Sequence, residues 1–339
     1  MRIGLNPQKD KVEEEIQQYH QVVVPVYIPD EEGYFEHSFD VLKLCLSSLF
    51  RTCHRKTYFT IVNNGSHSGV TEYLDSLLQS EQIHELIHTH NIGKVNAVYK
   101  GITGHNFPLI TVTDADVLFL EGWQESSYLV FEEFPKTGFV TPTPNSKFTK
   151  YFTFDTIMKY WFSSKLKFKE PKNKLGLQRF AESIERPQFY KQVHLDNILT
   201  LSGTNTNALI GGGHFVATYR GTVFSDLKQR YSSFKLGGKS VRDFFDVPVG
   251  KKGYWRLSTE DNYAYHMGNI VEPWMQEVLD LLPASNENVV TKPPLKGIIR
   301  NRTMLKIKAF VFEKFLTRKP IWRRFLRSKG LRSDEAKIY

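Results

Sequence analysis

Two carboxylates one residue apart, Asp114 and Asp116, stand between the apolar runs Leu109-Ile110-Thr111-Val112-Thr113 and Val117-Leu118-Phe119. Taking a carboxylate out of water without a partner is costly, so the pair demands one. In an extended chain residues i and i+2 project to the same side. Two carboxylates converging there suit a divalent cation, whose preferred ligands are oxygens. The competing reading is a strand-end turn in which one Asp caps the next segment. A second acidic pair, Glu260-Asp261, follows Ser258 and Thr259, and His266 lies five residues beyond Asp261. Ser258 and Asp261 have the spacing of a capping box, which predicts a helix beginning there. The macrodipole favours ionised carboxylates in a first helical turn, and an ionised carboxylate is what a general base requires. Capping alone is the other reading of this pair.

The elements that must position these groups are legible as patterns. Apolar and β-branched runs predict buried strands at 22–28, 59–63, 86–90 and 109–119. Pro25 removes one ladder donor and belongs near the first strand's end. Between the strands, period-3.6 patterns predict helices at 39–51, 70–80 and 93–101. A short edge strand is expected at 2–5 and a short helix at 11–20. Strands alternating with such helices indicate a parallel, doubly wound α/β sheet, whose ligands bind beyond the carboxyl ends of the strands. Tyr27, Asn63-Asn64-Gly65-Ser66, Asn91-Ile92-Gly93-Lys94 and Asp114-Ala115-Asp116 therefore line one crevice. Lys94 is then placed for a phosphate, unless it is a solvated helix-start lysine, and Asn64-Gly65 is by itself a turn former.

Composition excludes several classes. The 339 residues, 40% of them hydrophobic, suffice for one large domain or two smaller ones. No apolar run is long enough to span a bilayer, and residues 1–15 have no apolar stretch of the kind a secretory leader carries. Cys45 and Cys53, eight residues apart on one helix, are separated by about 12 Å of rise, too far to bridge. Reduced thiols and a cytoplasmic location are expected. The net charge is +9, but fourteen of the 45 basic residues and one of the 36 acidic ones fall between Lys292 and Arg332. The rest of the chain carries −4, which argues for a local anionic partner at the tail and against nucleic acid. There is no Gly-x-Gly-x-x-Gly after the first strand, no phosphate-loop Gly-x-x-x-x-Gly-Lys-Ser/Thr and no zinc-spaced Cys/His cluster.

Taken in order and spacing, Val24-Pro25-Val26-Tyr27, Ile61-Val62-Asn63-Asn64-Gly65-Ser66, Asn91-Ile92-Gly93-Lys94-Val95-Asn96-Ala97 and Thr113-Asp114-Ala115-Asp116 resemble the nucleotide-sugar half of family-2-type GT-A glycosyltransferases. The resemblance covers about residues 20–125, with a shorter match near 255–268. It implies a Rossmann-like, mostly parallel central sheet flanked by helices. It places Pro25 and Tyr27 beside the nucleotide, and Asn63 and Asn64 where the family usually has acidic residues touching the base. Lys94 falls near ribose and phosphates, Asp114 against ribose or a metal-bound water, and Asp116 on the Mn²⁺ or Mg²⁺ bridging the diphosphate. Asn at 63 and 64 leaves the base open, because an amide both accepts and donates. The Glu-Asp match implies Asp261 as the base deprotonating the acceptor hydroxyl, with Glu260 the fallback, and His266 completing the metal site or serving structurally. Gly212 and Gly213, in a run of three glycines between two strand-like segments, would form the wall beneath donor sugar and acceptor. A tight hairpin is the alternative there.

The resulting expectation is an inverting, metal-dependent transferase. It moves a sugar from a nucleotide-diphosphate donor, UDP-sugar favoured, to a hydroxyl of a bacterial surface or lipid-linked glycan. A sugar-1-phosphate nucleotidyltransferase and a non-catalytic glycan- or membrane-binding protein of the same fold are the alternatives. Residues 1–285 are expected to form the catalytic domain (20–125 for the donor, 126–285 for the acceptor) and 286–339 a basic, helical C-terminal extension. Aromatics and lysines interleave at 147–152, 158–162 and 165–169, as an acceptor or membrane contact or as an amphipathic cover. The tail, with Met304, Ile307, Phe310, Trp322 and Phe325 among its cations, has the composition of an interfacial helix attracted to anionic lipid. Peripheral attachment to the inner face of the cytoplasmic membrane is expected, with a packed helix pair as the alternative.

Overall fold

Alternating apolar and helical segments build a ten-stranded sheet in the computed structural model, which describes residues 4, 6, 7, 9–11, 16–225, 231–286 and 290–339. The edge strand expected at 2–5 lies almost wholly outside those residues, as does much of the helix expected at 11–20. Residues 16–19 are not helical, and His20 opens the first strand. The strands are β1 His20–Val26, β2 Thr57–Asn63, β3 Glu85–His88, β4 Leu109–Thr113, β5 Val117–Phe119, β6 Thr137–Thr141, β7 Leu166–Lys169, β8 Ile198–Ser202, β9 Asn207–Ile210, β10 Val216–Arg220, β11 Trp255–Thr259 and β12 Ala264–His266. The large sheet has the order β3-β2-β1-β4-β10-β6-β11-β9-β8-β7, while β5 and β12 form a separate two-stranded sheet. Pairing is parallel from β3 through β4 and antiparallel at β10, so the sheet is mixed. Seven strands run one way, and β10, β9 and β7 run the other.

The first half follows the doubly wound pattern. Helices α1 Ser38–Thr52, α2 Ser68–Gln79 and α3 Lys94–Ile102 connect β1 through β4. On α1, Val41, Leu42, Cys45, Leu46 and Leu49 are buried, at the spacing of one helical face. They pack with β1 and β2 residues on one side of the sheet, and each leucine contributes roughly 1.5–3 kcal/mol of burial. The face of α3 carrying Val95, Val98 and Ile102 covers the other side. Both cysteines are buried free thiols.

The tail is not an independent appendage. Phe312, Trp322, Phe325, Leu326 and Leu331 belong to the same buried cluster as the helix α4 Trp123–Glu133, β8 and β11. Trp161 stacks on Phe325 with ring centroids 4.3 Å apart, and buried Lys329 donates to the carbonyls of Tyr160 and Ser163. Lys308 of the helix Arg302–Val311 pairs with Asp155 at 2.6 Å, which Lys136 and the Trp255 indole also contact. The aromatic and lysine-rich segment thus acts as the tail's packing partner.

A polar knot crosses the hydrophobic centre. The His20 ring, fully buried, meets the Tyr128 hydroxyl and Gln124 through Nδ1 and Thr111 through Nε2. His54 meets the same Tyr128 hydroxyl at 2.8 Å. Burial holds His20 well below its ordinary value and pushes His54 down to about 4. Both rings are therefore neutral in the fold, whereas in the unfolded chain they take up a proton near pH 6.5. Their contribution is complete above that value and is lost as pH falls toward 4, by roughly 3 kcal/mol for His54 alone. The urea midpoint should fall over this window, and His54→Gln should reduce the slope. A midpoint unchanged between pH 6.5 and 4 would contradict this reading.

Candidate active site

The run read as one strand is two. β4 ends at Thr113, Asp114-Ala115-Asp116 turn, and β5 leaves the main sheet to pair with β12. The extended i, i+2 geometry expected for the carboxylates therefore gives way to a turn. The convergence arises from the partners of that turn. The Asp114 N–H donates to Phe215 O at 2.7 Å, and the Met267 N–H donates to Asp116 O at 2.8 Å. The β5–β12 register places His266 opposite Val117, beside Asp116.

His266 Nε2 lies 3.5 Å from Asp116 Oδ2, and its Nδ1 lies 2.9 Å from Ser183 Oγ. The Ser183 hydroxyl is already donating to Phe180 O at 3.0 Å, so it accepts from His266 Nδ1–H. In the neutral ring that tautomer leaves the Nε2 lone pair facing a carboxylate oxygen. Phe180 and Phe215 meet the imidazole ring edge-on and fix its plane. Burial pushes the Asp116 carboxyl up, His266 pulls it down and the Asp114 charge pushes it up again. Asp116 Oδ1 is buried with no hydrogen-bond partner. An imidazole lone pair and two carboxylate oxygens in one place, one of them orphaned, have the chemistry of a divalent-cation site. Among the described residues no three acidic, His or Cys side chains close into a complete cage. A cation here would complete its shell from outside the chain.

Lys94, first residue of α3, ion-pairs with Asp114. Its ammonium is thus held at the end of β4 by Asp114. Gly93 adopts φ +90° where the backbone of Lys235 comes close enough that a Cβ would stand 2.7 Å from the Lys235 Cα. Pro25 is the penultimate residue of β1, and Tyr27, just beyond it, meets Phe35 edge-on at the surface. Asn63 and Asn64 are buried. The Asn63 amide serves Thr71, His88 and the Ser66 N–H, and Asn64 Oδ1 accepts from the Ile92 N–H. These side chains shape the turn and hold the 91–93 loop beside it. Ala115 occupies the turn itself and packs on the α1 side of the core.

Glu260 and Asp261 do not begin a helix. β11 runs to Thr259, and the acidic pair sits in the loop leading to β12. Trp255, Thr259, Tyr263 and Tyr265 suit pleated strands, and β11 is enclosed by β6 and β9. The capping box and its macrodipole support are therefore absent. Glu260 is held by Lys172 at 2.7 Å and Asn207 at 2.6 Å. Burial would raise its carboxyl, but these two partners keep it below the ordinary range. Asp261 Oδ1 accepts from the next N–H, at 2.7 Å.

The glycine run is not a hairpin, because β6 and β11 separate β9 from β10 in the sheet. At Gly211 (φ +84°) a Cβ would stand 2.5 Å from Phe148 O, and at Gly212 it would stand 2.1 Å from Thr141 Cγ2. The close approach at these two positions is to the chain itself, whereas at Gly213 the nearest atom is 3.7 Å away. Beneath them lies a feature the sequence did not reveal. Arg256, fully buried, ion-pairs with buried Asp246, donates to Gly212 O and covers the Phe139 ring at 3.8 Å. Asp246 also accepts from the Tyr151 hydroxyl at 2.7 Å. Removing one partner of such a pair typically costs about 3–5 kcal/mol, because the other charge is left buried and uncompensated.

Residues 22–191, half of the chain, match the family model described as glycosyl transferase family 2. No curated protein matches the chain. Among solved structures the chain is similar to the mannosyltransferase PcManGT from Pyrobaculum calidifontis in complex with GDP-Man and Mn²⁺. Identity there is 12% and the TM-score 0.44, over 93% of this chain and 73% of that one. It is also similar to S. aureus TarS 1-349 in complex with UDP-GlcNAc, at 11% identity and a TM-score of 0.44, over 94% and 84%. The four strand-end motifs, the sheet that carries them and the family match agree: the chain belongs to glycosyl transferase family 2 and is a glycosyltransferase of the GT-A fold.

Proposed function

We propose that the protein transfers a sugar from a nucleotide-diphosphate donor to an acceptor hydroxyl of a surface or lipid-linked glycan, with a Mn²⁺ or Mg²⁺ ion and inversion at the anomeric carbon. The observation that carries the metal requirement is the orphaned Asp116 oxygen beside the Nε2 lone pair of His266. Asp116 and His266 would hold the ion, and Asp114 would orient ribose or a metal-bound water. The bound ion supplies Lewis-acid stabilisation of the departing diphosphate. Lys94, paired with Asp114, would turn to a donor phosphate. Pro25, Tyr27 and Asn64 would flank the nucleoside, a uridine by preference, with Gly213 beneath the sugar.

Asp261 would accept the acceptor's proton through its second oxygen. Glu260, paired with Lys172 and accepting from the Asn207 amide, would position this loop. One base opposite the leaving group suits direct displacement, so product NMR should give the inverted anomer; retention would remove the single-displacement mechanism. Asp261→Asn should lower kcat about 10²–10⁴-fold with donor affinity kept, and Glu260→Gln should cost less than about tenfold. Near-full transfer by Asp261→Asn would move the base elsewhere.

Because Ser183 sets the His266 tautomer, Ser183→Ala should weaken Mn²⁺ binding about 10–100-fold with an unchanged melting temperature in EDTA. Unaltered Mn²⁺ affinity would contradict the ligand role of His266. No helix among the described residues is long and apolar enough to cross a membrane. Attachment to an anionic surface would use the exposed Met304, Ile307, Phe310 and Phe315, since Trp322, Phe325 and Leu326 lie in the core.

A further inference from the structure

A cavity of about 1220 Å³, lined by none of Asp114, Asp116, Glu260, Asp261 and His266, lies between α3, the 232–252 stretch, the 150–154 turn and the helix Arg302–Val311. Lys150, Lys251, Arg300, Arg302 and Lys306 line it, and none of them makes an ion pair among the described residues. Of its two acidic lining residues, Asp243 is already held by Arg242 at 2.6 Å. Glu313 is the other, so the five cations outnumber it, and this excess of like charge gains from an anion carrying more than one negative charge. The floor is aromatic, with Tyr99, Phe152 and Phe244.

The helix Arg302–Val311 explains what else the ligand carries. Arg302, Leu305, Lys306 and Ala309, at helical spacing, face the cavity. Met304, Ile307 and Phe310 form the neighbouring stripe, each about half exposed, and no residue of this helix is fully buried. A polyanion such as nucleic acid would use the cations and leave the apolar stripe in water. A flat bilayer would cover the stripe but not enter the recess. An amphiphile with a multiply charged headgroup satisfies both.

We infer that this cavity binds the diphosphate headgroup of a single lipid, whose chain runs along Met304, Ile307 and Phe310. This rests on the reading of the acceptor as lipid-linked, and makes the site an anchor for that acceptor apart from the donor's metal site.

The probe is farnesyl diphosphate, titrated calorimetrically into the full chain in EDTA, so that the cation site is disabled. It should bind at least roughly tenfold more tightly than inorganic pyrophosphate, since two buried methylenes already supply about that factor. It should also exceed dihexanoyl phosphatidylglycerol, a singly charged phosphodiester. Arg302→Glu with Lys306→Glu should weaken it by about tenfold or more. Met304→Ser with Ile307→Ser, both on the surface, should erase its advantage over pyrophosphate. Equal binding of pyrophosphate, equal binding of phosphatidylglycerol, or full binding by the charge-reversed variant would each overturn the inference. Loss of binding in Asp116→Asn would also overturn it, by placing the ligand in the donor site. Mn²⁺-dependent nucleoside-diphosphate binding should persist in the tail variants. Its absence from the wild type, with farnesyl diphosphate still bound, would sink the donor reading and leave this one standing.

Discussion

The site depends on a strand that stops. β4 delivers Asp114 and Asp116 to the sheet's carboxyl edge, and there the chain turns and leaves the main sheet. Had the strand continued, Asp116 would face a ladder partner. Instead β5 pairs with β12, and that register carries His266 to the carboxylate. Two segments about 150 residues apart are thus fixed by three antiparallel residue pairs and by the backbone bond from Met267 to Asp116. The surrounding apolar layer of Val117, Leu118, Phe119 and Ala264 keeps water from competing for those bonds.

Rigidity is supplied from below and behind. The Arg256–Asp246 pair, enclosed by Phe139, Tyr151 and the Gly212 carbonyl, supports the loop on which His214 and Phe215 lie. Phe215 in turn anchors Asp114 through its carbonyl and His266 through its ring. The basic tail completes the opposite side of the fold by burying Phe312, Trp322 and Phe325 against α4 and β11. Its helix Arg302–Val311 keeps Met304, Ile307 and Phe310 exposed. The candidate site and the tail are thus parts of one folded body with separate charge characters, the first acidic and the second basic.

How much of this the sequence disclosed follows from the range of the interactions. β1, β2, β4 and the three helices between them were readable because hydrophobic period is a local signal. The strand-end motifs were readable because topology brings the carboxyl ends of parallel strands together. The hairpin that the glycine run allowed as an alternative fails because β6 and β11 come between its two flanking segments in the sheet, a long-range insertion with no local mark. Ser258 and Asp261 satisfied the capping pattern, yet Trp255, Tyr263 and Tyr265 around them favoured strands, a signal that was available. The hydrogen bond from His266 to Ser183 spans 83 residues, and nothing at either position marks it in advance. The Arg256–Asp246 pair was equally silent, since two charged residues ten apart usually lie in water.

As proposed, Asp116 and His266 would hold a cation that also stabilises the donor's diphosphate. Electron spin echo spectroscopy of Mn²⁺ bound to the protein with a nucleoside diphosphate tests this at the metal itself. The account predicts both a ¹⁴N coupling from His266 Nε2, absent in His266→Ala, and a ³¹P coupling from the diphosphate. A ³¹P signal with no ¹⁴N coupling in the wild type would contradict it.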